Sequence, residues 1–178
     1  GEIDGIPIKD WETFIGPSAP YYIYQFKRMD ATGQKTGFVF SAALFPYLYF
    51  FYRKMWLQGA LALLLELVLN IPAKLLMLKQ AGFLMFLPIS LSSLSSISLA
   101  SPLALGVLQI VTWGLFGVWF YRRTGAKRIR KLQQIAADKE EYRVLLRKKG
   151  GFSRAVLVIV VALYLINTAA MIFMGGTL

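Results

Sequence analysis

The chain contains no cysteine and no histidine. Without thiols there is no disulfide, no thiolate nucleophile and no Cys-based zinc site. Without imidazole the commonest general base and metal ligand is missing as well. Acids are scarce, with 9 Asp plus Glu against 20 Lys plus Arg. The carboxylate pairs that do occur, Asp10 with Glu12 and Glu140 with Glu141, stand in no recognisable catalytic setting. No glycine-rich phosphate loop, nucleophile elbow or metal-ligand spacing accompanies them. The expectation is a non-catalytic protein, with no catalytic or metal residues and no cofactor.

What is abundant is apolar surface: 57% of residues are hydrophobic and only 16% charged, and the charges are clustered. That separation of a lipid zone from a water zone predicts an all-α integral membrane protein. The net charge of +11 admits nucleic acid or an anionic membrane surface as partner. The basic residues flank apolar runs and the aromatics lie mostly within them, so the positive-inside rule accounts for the charge and nothing resembles a nucleic-acid module. The expected partners are the lipid bilayer and its anionic headgroups, with a homo-oligomer or another membrane protein as further candidates. The sequence opens on Gly1 in place of Met, as a trimmed segment would, and no cleavable signal is recognisable.

Two regions are expected. Residues 1–36 form an amino-terminal cytoplasmic or interfacial segment with two short helices, one around Asp10–Phe14 ended by Gly16-Pro17 and one over Tyr21–Met29. Residues 37–178 form the helical membrane domain, with a basic cytoplasmic loop over 122–151. The aromatic stretch Gly37–Tyr52, broken by Pro46, offers about 24 Å of helix where a lipid core of about 30 Å asks for about 20 residues. A re-entrant or interfacial segment is therefore expected there. Met55–Ile71 is a Leu-rich span that continues past Pro72, with a kink, to about Lys79. The serine-rich stretch 80–101 reads either as an interfacial helix or as a span whose hydroxyls bond back to the helix. Pro102–Tyr121 reads as a span with proline in its first turn, in which Gly106, Gly114 and Gly117 admit a close neighbour. Arg122–Lys149 carries 11 Lys/Arg against three acids and a helical stripe of Ile129, Leu132, Ala136, Tyr142 and Leu146. It reads as an amphipathic cytoplasmic helix leading to a last span, Ala155–Met174.

The charges then give three transmembrane helices plus the re-entrant segment, amino terminus inside and carboxyl terminus outside. A five-span alternative, with 37–52 and 80–100 both crossing, places the termini identically and puts Lys74 and Lys79 inside.

The candidate sites are of two kinds. Glu66 is an acid in the middle of an apolar run, and Gln58 and Asn70 share its face at four-residue spacing. Such a group marks an ion or substrate path, or else hydrogen-bonds in neutral form to polar residues of other spans such as Gln109 and Asn167. The second kind is cationic: Arg53 and Lys54 at the aromatic junction, with Arg122, Arg123, Lys127, Arg128, Arg130 and Lys131 in the basic helix. These could contact anionic lipid, or Arg53-Lys54 could anchor the junction by snorkelling. The functional expectation is a membrane anchor or scaffold with a basic cytoplasmic surface. The alternative is a small transporter or channel subunit using Glu66.

An aromatic segment with a central Pro46, closing on Tyr52-Arg53-Lys54-Met55-Trp56, resembles the bacterial membrane family catalogued as domain of unknown function 2628. Phe14-Ile15-Gly16, Tyr21-Tyr22 and Phe26-Lys27 are similar to the amino-terminal part of that family, and Phe45 departs from the small residue expected before Pro46. Asp4-Gly5-Ile6-Pro7 resembles members in which a Cys-rich zinc-binding module precedes the membrane region; these residues contain no such module. The resemblance implies a bacterial membrane location and brings no activity with it.

Overall fold

The computed structural model describes residues 1–175. In chain order they form β1 (Glu2–Ile3), β2 (Ile6–Pro7), α1 (Ile8–Ile15), α2 (Ala19–Thr32), α3 (Phe40–Leu44), α4 (Pro46–Tyr52), α5 (Trp56–Leu69), α6 (Ile71–Gln80) and α7 (Leu91–Leu108). A π-helical segment, Gln109–Gly114, leads directly into α8 (Leu115–Ile135), followed by α9 (Lys139–Lys149) and α10 (Arg154–Gly175).

A polar headpiece is built from both ends of this list. Asp4 and Gly5 take positive φ, 57° and 71°, giving the tight turn that an Asp-Gly pair favours between twisted strands. The hairpin buries Ile3 and Ile6 on the apolar face of α1, where Trp11, Phe14 and Ile15 lie three and four residues apart. Pro20 sits in the first turn of α2, and Gly33 closes the helix in the left-handed conformation. Its stripe Tyr22, Ile23, Phe26 and Met29 turns inward against Tyr121, Ala126, Ile129 and Leu132 of α8 and Leu146 of α9. The aromatic side of α2 is thus a core face. A Cβ on Gly125 would stand 2.8 Å from Trp11 Cζ3, so the glycine is what lets the indole lie against α8.

The basic stretch folds as two helices where the sequence reading placed one. Asp138 is the reason: its side chain accepts from the Glu141 N–H (2.7 Å), while Glu141 Oε2 accepts from the Ala137 N–H (2.7 Å). A reciprocal cap of this kind starts a new helix rather than continuing an old one. Acids in the first turn of α9 and Arg147, Lys148 and Lys149 in its last turn suit the helix dipole.

Below the headpiece lie three helices long and apolar enough to cross a membrane. The first joins α5 to α6 through a break at Asn70–Pro72, the kink expected from Pro72. The second runs as one 45-residue helix, Leu91–Ile135. Pro102 therefore stands inside a helix and not at the start of one. The serines before it make this possible: Ser90 caps α7, and Ser96, Ser98 and Ser101 donate back to the carbonyls of Ser92, Ser95 and Ile97. Hydroxyls that satisfy the helix internally let a polar sequence continue as helix. The third apolar helix is α10, almost bare of protein contact.

Residues 37–52 hold no helix of spanning length. Gly37 and Val39 donate to the carbonyls of Leu115 and Gly114 (2.8 and 3.0 Å), then α3 and α4, of 5 and 7 residues, meet at Phe45–Pro46. Neither approaches the ~20 residues of a span. The pair packs against the π-segment and α8 through small residues. A Cβ on Gly114 would lie 2.9 Å from that of Ala43, and one on Gly117 would lie 3.2 Å from that of Ala42. Gly106, expected to serve similarly, faces open space.

Candidate functional site

The headpiece meets the apolar helices at the turn Tyr52–Met55. Lys54 has φ 59°, a conformation awkward for a residue with a Cβ, and its side chain is tied down. Lys54 Nζ donates to the carbonyls of Lys148 (3.0 Å) and Gly150 (2.7 Å), closing the carboxyl end of α9. Arg128 donates to the Lys54 carbonyl. The Ser153 N–H donates to the Tyr52 carbonyl (2.8 Å), and Tyr52 stacks on Phe152 at 5.2 Å. One turn thereby holds α4, α5, α8, α9 and the start of α10.

Within this turn Arg53 is turned inward and is only 7% exposed. Its guanidinium carbon lies 4.8 Å from the ring centre of Tyr22 and 5.6 Å from those of Tyr52 and Tyr121. Tyr49, fully within the same cluster, shares a hydrogen bond with Tyr22 through the two hydroxyls. Burial pushes the Tyr22 phenol above its ordinary range despite the pull of the Arg53 charge, so the ring is neutral at pH 7 and offers Arg53 no ionic partner. Among the described residues the salt bridges are those of Arg122 with Asp4 and Asp30, both 2.7 Å; Arg53 has none, and its Nε has no acceptor. Burying a charge costs several kcal/mol even after relaxation, and each cation–π face returns about 0.5–2 kcal/mol. Three ring faces offset much of that cost without supplying an anion.

Arg53 lines a cavity of about 800 Å³. Its polar end is Arg53 with Tyr22, Tyr49 and Tyr52; its long wall is apolar, from Phe40, Phe45 and Leu48 to Val156 and Val160 of α10. The Tyr21 hydroxyl donates to the Phe38 carbonyl (2.9 Å), closing the roof between α2 and the extended segment.

The remaining cationic candidates divide. Arg122 pairs with Asp4 and Asp30 and also donates to the Phe26 carbonyl (3.2 Å), and Arg130 donates to the Asp4 carbonyl (2.8 Å). With Lys54 and Arg128 these hold the headpiece together. Arg123, Lys127 and Lys131 are exposed, Arg123 lying 5.5 Å over the Trp119 ring.

The polar residues of the apolar helices are only partly brought together. Glu66 and Asn70 line a cleft of about 410 Å³ with Tyr47 and Lys74, and Asn70 Nδ2 donates to the Glu66 carbonyl (2.8 Å). Gln58 is spent elsewhere, donating to the Thr124 hydroxyl of α8 (3.2 Å). Gln109 opens the π-segment, and Asn167 stands exposed on α10 with Met171 of its own helix as partner. Neither Gln109 nor Asn167 lines the Glu66 cleft. What the sequence reading missed is the caged state of Arg53; four tyrosines at positions 22, 49, 52 and 121 were on view, but their convergence is a tertiary fact.

A basic helical headpiece fused to three long apolar helices, with no cluster of metal-ligand side chains among the described residues, defines the class: a helical protein with membrane-crossing geometry. The chain belongs to the family described as "Protein of unknown function (DUF2628)", whose model matches residues 23–127, well over half its length. The matched stretch includes Arg53, Tyr49, Tyr121 and Glu66. Neither the curated proteins nor the solved structures contain a match to the chain.

Proposed function

We propose that this is a multi-pass protein of the bacterial inner membrane that acts without catalysis, as an anchor displaying a basic headpiece at the cytoplasmic face. The observation carrying the reading is the unbroken Leu91–Ile135 helix. At about 1.5 Å per residue it runs to roughly 67 Å, more than twice the ~30 Å hydrocarbon core. Its first part is apolar and its last turns are the spine of the headpiece, so headpiece and span move as one body. The exposed Arg123, Lys127 and Lys131 then face an anionic leaflet, where each basic residue contributes about 1 kcal/mol of attraction. Residues 1–32 pack on the same headpiece, so in this reading the amino-terminal segment lies inside with the basic helices and α10 leads outward. The re-entrant aromatic pair α3–α4 enters the membrane from the same side.

Single cysteines at Lys127 and Ser95 test the seating in intact cells with a membrane-impermeant thiol reagent, since the chain has no cysteine of its own. Labelling at 95 and protection at 127 until the cells are opened is expected; the reverse pattern sinks the orientation. A second reading, a transport subunit, is favoured by one observation, the shared cleft of Glu66 and Lys74. Purified chain in sealed vesicles is expected to pass no more protons or monovalent cations than empty vesicles. A flux abolished by Glu66→Gln overturns the anchor in favour of the transporter.

A further inference from the structure

The cavity beneath Arg53 combines two features rarely found together. At one end is a buried cation with no carboxylate partner and an orphaned Nε. Along its length runs an apolar wall, made by the re-entrant pair on one side and α10 on the other. No Asp or Glu lines it. We propose that this cavity is a binding site for one anionic phospholipid, its phosphate held by Arg53 within the tyrosine cage and one acyl chain lying between α4 and α10.

The chemistry of each end selects that occupant. A guanidinium presents its donors in a planar fork that matches a phosphate's oxygens two at a time. The Tyr52 and Tyr22 rings fix the plane of the fork, so an arriving anion meets a donor set already oriented. A free phosphate would satisfy Arg53 but leave the wall of Phe40, Phe45, Leu48 and Val160 unfilled. A neutral acyl compound would fill the wall and leave the cation uncompensated. A zwitterionic lipid brings its own ammonium, for which no acid stands in the lining. The volume, about 800 Å³, is within the range of sites that enclose most of a small ligand. The location fits also: the turn Tyr52–Met55 is where headpiece gives way to apolar helix, the depth at which a headgroup lies when the chain is seated as proposed above. The proposal rests on that seating and adds to it a stoichiometric site, distinct from the diffuse attraction of Arg123, Lys127 and Lys131.

The experiment is native mass spectrometry of the delipidated full chain in mild detergent, titrated with phosphatidylglycerol, phosphatidylcholine or inorganic phosphate. One phosphatidylglycerol per chain is expected, bound about tenfold or more tighter than phosphatidylcholine, whose ammonium sits near the Arg53 cation with no acid in the lining to offset it. Arg53→Gln should weaken it by about tenfold or more, with Arg53→Lys between the two. Val160→Trp, which narrows the cleft and leaves Arg53 untouched, should cause a comparable loss with an unchanged melting temperature; it decides the matter should Arg53→Gln fail to fold. Equal retention by Val160→Trp and the unaltered chain overturns the proposal, as does equal retention of the two lipids. Displacement of the lipid by inorganic phosphate at matched concentration would assign the site to a free anion and refute the lipid. Substituting Arg123, Lys127 and Lys131 together by Gln should leave the single bound lipid in place. Loss of that lipid with the labelling pattern at 95 and 127 intact refutes the cavity alone; a reversed pattern refutes the seating.

Discussion

Gly150 is the position at which the smallest change should do the most harm. A Cβ there would overlap the Phe14 carbonyl oxygen and stand 2.7 Å from Phe14 Cδ2 and 2.8 Å from the Leu146 carbonyl oxygen. Two of these three atoms are backbone, so no rotamer change relieves the overlap. The φ of Gly150, −89°, is open to any residue, and the whole penalty is therefore steric. To admit a methyl group, α9 must retreat from α1. That stretches the hydrogen bond from the Gly151 N–H to the Phe14 carbonyl (2.6 Å) and the one from Lys54 Nζ to the Gly150 carbonyl (2.7 Å). Overpacking costs about 1–3 kcal/mol and each hydrogen bond about 1 kcal/mol. Gly150→Ala should thus destabilise the headpiece by roughly 3 kcal/mol, or more than about 10 °C in melting temperature for a unit of this size. Gly151→Ala is the matched control: Gly151 has φ 67° but nothing within 4 Å of its Cβ, so only the left-handed strain of about 1–2 kcal/mol applies. Thermal unfolding of both variants in one detergent, followed by near-UV circular dichroism, compares them directly. If Gly150→Ala melts no lower than Gly151→Ala, the close approach of α9 to α1 is wrong.

Trp11 is fully buried and its Nε1 donates to the Ile3 carbonyl (3.1 Å); Trp11→Ala should cost about 3–5 kcal/mol, read as loss of the headpiece transition and faster proteolysis at the hairpin. Acid should act through Asp4, whose carboxyl is held below its ordinary value by the hydrogen bond to Arg122, against the opposing effect of burial. A depressed carboxylate contributes stability above its unfolded pKa of about 3.9, and the contribution is lost as pH falls through the lower folded value. Melting curves below about pH 4 should therefore fall less steeply for Asp4→Asn than for the unaltered chain, and parallel curves would refute the linkage.

The elements legible in the sequence are those set by local chemistry. Gly16-Pro17, Pro20 and Gly33 bound the two short helices because each acts on its own backbone. The Leu-rich run and its Pro72 kink followed from hydropathy and a missing N–H. Pro102 misled because proline in a first turn and proline inside a long helix look alike until the preceding serines are known to bond within the helix. The split at Ala136–Asp138 was visible as Asp138 with Glu141 three residues on, a capping signature hidden within a run of cations. The Asp4-Gly5 hairpin carried an equally local signal in its turn-forming pair. Arg53 and Arg122 are different. One is caged by tyrosines from α2, α4 and α8; the other pairs with Asp4 at the opposite end of the sequence. No periodicity encodes such meetings, and an arginine bound for a core looks in sequence like one bound for a headgroup.

The same contacts explain why the cavity is left open. In lipid, where we propose these helices sit, there is no hydrophobic force between apolar helices, so their association depends on small residues and polar links. Gly114 and Gly117 supply close packing for α3 against the long helix, but α10 has no counterpart below its first turn; its side chains there are exposed for most of their length. What fixes α10 is above: the Ser153 N–H on the Tyr52 carbonyl and Phe152 stacked on Tyr52. A helix held at one end and free along its flank leaves a wedge beside its neighbour, and α4 is that neighbour. Closing the wedge with large apolar residues would need partners from α4, yet α4 is only about two turns long and gives way at once to Arg53. The junction therefore does two things with one set of residues. It clamps three helices to the headpiece, and it leaves an unpaired cation at the mouth of the wedge the clamp creates.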